Sequence, residues 1–134
     1  MTPQEATAKI VRYWMEQADE AIASARREQR AGALHFAHNR AYYACFYAAS
    51  AVLLNEGQTF KRHTGVREGV HQYLVKPGRL DKRWGRVYSE LFQLRGEADY
   101  VPLVAIDPSD AAASVDQAEA FVQQMRGLLS KQID

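Results

Sequence analysis

An all-α fold is what this sequence predicts, and three observations carry the expectation. Between Ala41 and Leu54 the chain runs AYYACFYAASAVLL, in which only Ser50 is strongly polar. A helix built from that run is apolar around its whole circumference and must be buried on every side. Elsewhere apolar residues recur three and four apart, the period of a helix that buries one face. No stretch alternates apolar and polar residues between turn residues, so nothing reads as a strand. The expected architecture is an antiparallel up-and-down bundle of four main helices plus one short helix. At 134 residues the expectation is one domain over 1–134, long enough to bury most of a single core.

The first helix opens at Thr2-Pro3-Gln4-Glu5, with Thr at N-cap, Pro at N1 and Glu at N3. Its stripe is Ile10, Trp14, Ala18, Ala21, Ile22 and Ala25, and it ends in the charged stretch Arg26 to Arg30, near Ala31-Gly32. The central helix runs from about Leu34 to Glu56, with Gly57 placed as a C-cap. Val66, Val70, Tyr73 and Leu74 mark the short helix after Thr64, which Lys76-Pro77-Gly78 ends. A fourth helix begins near Asp81 and carries Trp84, Val87, Leu91, Leu94 and Ala98 until Val101-Pro102 breaks the pattern. Asp107-Pro108-Ser109-Asp110 then repeats the opening motif with acids, and Ala111, Val115, Ala118, Val122, Met125 and Leu129 follow on one stripe. The expected core is Trp14, Tyr43, Cys45, Phe46, Val52 and Leu91.

The composition, 47% hydrophobic and 25% charged, is that of a globular protein and excludes a disordered chain. The N-terminal MTPQEATAKIV has no apolar h-region, so no secretory signal is expected. The apolar run is shorter than the ~20 residues a membrane span needs, so no membrane association is expected. Cys45 is the single cysteine and lies inside that run. It reads as a small core residue, and without an intrachain partner the chain suits a reducing cytoplasm.

Net charge is +1, but its distribution is uneven. From Lys61 to Arg95 nine basic residues (Lys61, Arg62, Arg67, Lys76, Arg79, Lys82, Arg83, Arg86, Arg95) face three acids, Glu68, Asp81 and Glu90. That segment carries +6 and leaves −5 for the rest. Such asymmetry suits a phosphate-bearing partner, and equally suits two solvated outer helix faces.

No metal is expected. The Glu-x-x-His motifs on two helices that a di-iron bundle needs are absent, and none of His35, His38, His63 and His71 is paired with Cys at zinc spacing. Phosphate-loop, dinucleotide and Gly-x-Ser-x-Gly patterns are also missing, so no cofactor is expected. What remains is Leu94-Arg95-Gly96-Glu97-Ala98-Asp99-Tyr100. Arg95 and Asp99 are four apart and share a helix face. Gly96 and Ala98 leave room for a close approach, and Tyr100 adds a group that can stack or handle a proton. The plain alternative is a surface ion pair.

Asn39 to Leu54 (NRAYYACFYAASAVLL), Lys61 to Val66 (KRHTGV), the Lys76 to Lys82 turn (KPGRLDK) and Leu94 to Tyr100 (LRGEADY) together resemble the HEPN domain, in its branch of small free-standing prokaryotic proteins. The resemblance runs from about Trp14 to Val122. It implies an antiparallel helical bundle that forms homodimers, often encoded beside a minimal nucleotidyltransferase in toxin–antitoxin pairs. Many HEPN relatives are metal-independent ribonucleases with a late Arg-x4–6-His motif, the two copies facing across a dimer cleft. This chain departs from that motif, reading Arg95-Gly-Glu-Ala-Asp99-Tyr100 with Asp where His would stand. Arg30 and His35 meet the spacing by letter but straddle the loop between the first two helices, a chance match.

Metal-free RNA cleavage needs a base for the 2′-hydroxyl, an acid for the leaving oxygen and a cation for developing charge. Arg95 supplies the cation, whereas Asp99 beside it stays ionised and is a poor acid. His63 supplies an imidazole only if the fold brings it to Arg95; otherwise it caps the third helix or bonds a neighbouring carbonyl. The expected site is therefore Arg95, Asp99, Tyr100 and His63, flanked by Arg40, Lys61, Arg62 and Arg67. The expected function is a nucleotide- or RNA-binding module acting with a minimal nucleotidyltransferase. The alternatives are a metal-independent endoribonuclease toxin and a purely structural dimer scaffold.

Overall fold

In the computed structural model, residues 1–100 and 106–133 are described, and for 97–100 and 132–133 the helical backbone alone. Among the described residues the fold is all-α, with no strand. The sequence sets where the helices start. The Thr2 hydroxyl accepts a hydrogen bond from the Glu5 backbone N–H at 3.1 Å and seats α1, Pro3–Arg30. The Asp107 carboxylate accepts from the Ser109 N–H at 2.8 Å and from its hydroxyl at 2.6 Å, opening α5, Pro108–Ile133.

A short turn after α1 leads into α2, Leu34–Asn55. Gly57 closes α2 at φ +84°, a left-handed conformation glycine reaches without strain, and the Gln58 N–H bonds back to Leu53. The short helix is α3, His63–Gly69, which continues into a π-helical turn over Val70–Val75. α4 follows as Lys82–Tyr100.

α2 is the centre of the bundle, covered by α1, α4 and α5. Cys45, Val52 and Leu91 are buried as expected, and so is the whole expected stripe of α5. α1 and α5 are tied by Arg26 to Asp116 (2.8 Å) and Glu119 (3.0 Å), and by Arg126 to Asp19 (2.8 Å). These exposed pairs contribute at most about 1 kcal/mol each, so burial holds the bundle.

Two core expectations differ. On α1 the buried row is Val11, Met15, Ala18, Ala21 and Ala25, whereas Ile10 is 44% exposed and Trp14 only partly buried. Ile10/Trp14 and Val11/Met15 are neighbouring rows of one helix. α2 presents alanines, so the slimmer row enters and the large indole stays on the flank. On α2 Tyr42 is fully buried, while Tyr43 and Phe46 are only partly so. Their face meets short α3, which cannot cover what a full-length helix would.

Candidate functional site

Tyr42 is where the site is built. Its ring is enclosed by Tyr88 (5.9 Å between centroids) and Phe92 (5.8 Å) of α4, with Tyr43 edge-on at 5.4 Å. Burial pushes its hydroxyl up to about 12, so the phenol keeps its proton. The hydroxyl oxygen stands 2.6 Å from Nδ1 of His63, the first residue of α3. Which group donates follows from the His63 tautomer: the phenol donates to a bare Nδ1 when the ring carries its proton on Nε2, and accepts from Nδ1–H in the other tautomer. His63 lies flat on Phe46, centroids 4.2 Å apart and planes 13° apart, with Tyr43 edge-on at 5.6 Å.

Arg95 comes from α4 to the same place. Its guanidinium sits 5.0 Å from the centre of the Tyr42 ring and 5.8 Å from that of Tyr43. Burial, and then the Arg95 charge, hold His63 below the ordinary histidine value, so the ring is neutral at pH 7. The fold therefore brings His63 and Arg95 together on one aromatic platform, which no local spacing rule could anticipate.

The other expected residues are placed less centrally. Arg67 stands 4.7 Å over Phe92, one ring removed from Tyr42. Arg40 is exposed and lines a hollow of about 200 Å³ between α1 and α2 with Tyr43 and Tyr47, so it adjoins the platform through Tyr43. Lys61 and Arg62 are exposed immediately before His63. The side chains of Asp99 and Tyr100 lie outside the described residues.

Sequence reasoning missed Tyr42 as a site residue. Its signal was present in Tyr42, Tyr43 and Phe46, three aromatics within about one turn of a helix. Cys45 is fully buried, and burial pushes its thiol upward, so it is a core residue and not a nucleophile. Among the described residues no group of three or more His, Cys, Asp or Glu could hold a metal ion. Nor is any helix among them long and apolar enough to cross a membrane.

What this arrangement offers chemically is donors. In the tautomer in which Nδ1 accepts from Tyr42, His63 presents an Nε2–H beside the Arg95 cation, and both suit an anion. Base catalysis by His63 would require the opposite tautomer, in which Nδ1–H donates to the Tyr42 oxygen.

A protein from Thermotoga maritima named "UPF0332 protein" is 35% identical over 121 residues, covering 90% of this chain and 92% of the relative. A protein from Methanocaldococcus jannaschii bearing the name "Putative toxin" is 33% identical over 92 residues, 69% of this chain and 68% of its own. A second protein so named from that organism is 26% identical over 120 residues, covering 89% and 82%. The HEPN domain model matches residues 11–128, nearly the whole chain and all of the Tyr42–His63–Arg95 platform, so this chain belongs to the HEPN domain family.

Proposed function

We propose that this chain is a toxin-type HEPN protein that binds nucleotide or RNA at the His63–Arg95 platform. In this reading it is a cytoplasmic homodimer that acts with a minimal nucleotidyltransferase. The observation that carries the binding reading is the bond from Tyr42 to Nδ1 of His63. In this reading Tyr42 donates, which leaves the ring an Nε2–H donor beside the Arg95 cation, a pair suited to a phosphate oxygen. Partly buried Tyr43 and Tyr47 alongside offer rings on which bases stack. Arg40, Lys61, Arg62 and Arg67 flank the platform as further cations, and Asp99 and Tyr100 follow Arg95 on α4 as further members. The toxin element rests on the names of the two Methanocaldococcus relatives. The dimer draws support from apolar side chains left at the surface, Phe36 at 63% exposure and Tyr13 at 55%.

One observation favours the ribonuclease alternative: Arg95 and His63 are close enough for the arginine charge to lower the histidine's proton affinity. An Arg/His pair is thus assembled across the fold even though no His follows Arg95 in sequence.

One assay separates the readings. A labelled single-stranded RNA is titrated with protein at several salt concentrations, and the same mixtures are run on a gel with chelator present. The expected outcome is salt-sensitive binding without cleavage, weakened in Arg95→Ala. Cleavage in chelator, lost in both Arg95→Ala and His63→Ala, would replace the binding reading with the nuclease one. Neither binding nor cleavage would leave only the scaffold.

A further inference from the structure

An open groove of about 740 Å³ lies between α3 with its π-helical turn and α4, lined among others by Arg67, Glu68, His71, Gln72, Lys76 and Ser89. His71 is exposed, yet its ring is held in place. Its Nε2 pairs with the Ser89 hydroxyl at 3.1 Å. A Cβ on Gly85, one turn before Ser89, would stand 2.8 Å from His71 Cε1 and 3.0 Å from Nδ1. Only glycine at 85 admits the imidazole that close to α4. The π turn over Val70–Val75 carries His71 into this contact, and such turns concentrate at functional positions. When Nε2–H donates to Ser89, the serine O–H remains available to a ligand oxygen.

Charge and continuity say which ligand suits the groove. Arg67 and Lys76 line it with one carboxylate, Glu68, among the residues named. Arg67 is held over Phe92 at 4.7 Å, Phe92 meets Tyr42 at 5.8 Å, and Arg95 lies 5.0 Å over the Tyr42 ring. Arg67 therefore joins the groove to the His63–Arg95 platform by contact, through Phe92 and the fully buried Tyr42 ring over which Arg95 lies.

We infer that the groove is a second phosphate subsite, which takes the backbone of a single-stranded RNA whose end nucleotide occupies the His63–Arg95 platform. The inference rests on the binding reading above and adds to it a second set of phosphate contacts, in the groove. Arg67 and Lys76 neutralise phosphates of the strand, and Ser89, seated by His71, donates to a phosphate oxygen in the same groove.

The test uses labelled oligouridylates of two and of twelve nucleotides, bound to the full chain and followed by fluorescence anisotropy across a salt series. The twelve-mer is expected to bind more tightly than the dinucleotide and with a steeper salt dependence. Lys76 is exposed, so its substitution leaves the fold intact. Lys76→Ala should lower the slope of log K against log salt by about 0.7 for the twelve-mer, the value of one phosphate contact on a single strand. Lys76→Glu should weaken the twelve-mer further, and both should leave the dinucleotide unchanged. Arg95→Ala should weaken both oligonucleotides. Equal twelve-mer affinity and slope in wild type and Lys76→Glu, with Arg95→Ala still weakened, would overturn the groove alone. Dinucleotide binding indifferent to Arg95→Ala would overturn the platform reading and the groove with it.

Discussion

The hydroxyl of Tyr42 stands 2.6 Å from Nδ1 of His63, and this bond decides what the imidazole can do. A buried phenol pushed up to about 12 does not ionise near neutrality, so it meets Nδ1 as a neutral hydroxyl, a donor to one histidine tautomer and an acceptor from the other. The same contact anchors short α3 to the central helix, linking fold and site.

Tyr42→Phe tests that contact with little change in shape. The ring packing against Tyr88 and Phe92 is kept, but Nδ1 loses its partner. Stability should fall by about 1 kcal/mol, the net worth of one hydrogen bond. Nitrogen-15 NMR of His63 should show the Nε2–H tautomer dominant in the wild type and a mixture in the variant. An unchanged tautomer ratio would mean that Tyr42 does not set the ring's proton.

Arg95→Gln tests whether the Arg95 charge acts on His63. Burial and Arg95 both hold the histidine below its ordinary value, and only the second is removed. The His63 pKa should therefore rise yet stay below about 6.5. Proton NMR of the imidazole Cε1–H across pH 4 to 8 reads this directly. A pKa indifferent to the substitution would separate the two residues.

Much of the fold was legible because helix signals are local. Thr2 and Asp107 cap the helices their motifs announce, Gly57 ends α2, and the α5 stripe from Ala111 to Leu129 is buried throughout. Choosing between adjacent rows was not legible, since Ile10/Trp14 and Val11/Met15 satisfy the helical period equally well. Tyr42 and Tyr43 pose the same problem on α2, where only the neighbouring helices decide which ring goes in. The π turn at Val70–Val75 follows no sequence rule used for ordinary helices. For the candidate site, the sequence names His63 and Arg95 but not their pairing. Their meeting depends on how α3 docks beside α4, which spacing along the chain does not encode.

The row choice has an energetic consequence. Phe121 is fully buried, in contact with Tyr88 at 5.5 Å, whereas Phe46 is only partly buried beneath His63. Phe121→Ala should cost about 3–5 kcal/mol, as for a large aromatic removed from a core. Phe46→Ala should cost less than half as much, about 1–2 kcal/mol, because part of its surface is already in water. Urea unfolding of both variants measures the two costs, and equal losses would place Phe46 in the core after all.

His38 makes stability depend on pH. It is 4% exposed between α2 and α5, its Nδ1 has no hydrogen-bond partner, and it lines a cavity of about 250 Å³ with Asp110, Ser114 and Gln117. Burial lowers its proton affinity most, the charge of His35 lowers it further, and Asp110 offsets part of the shift. The unfolded chain takes up this proton near pH 6.5, whereas the folded chain resists until the pH is lower. Stability is thus fully present above pH 6.5 and is lost as the pH falls towards the folded-state pKa. His63 shifts in the same direction, so the two losses add. Urea midpoints measured from pH 7.5 to 5.5 should decline in the wild type, before most carboxylates begin to titrate. His38→Gln and His63→Gln should each flatten the decline, whatever either costs at pH 7.5. A decline as steep in His38→Gln as in the wild type would show that the buried ring takes no part in it.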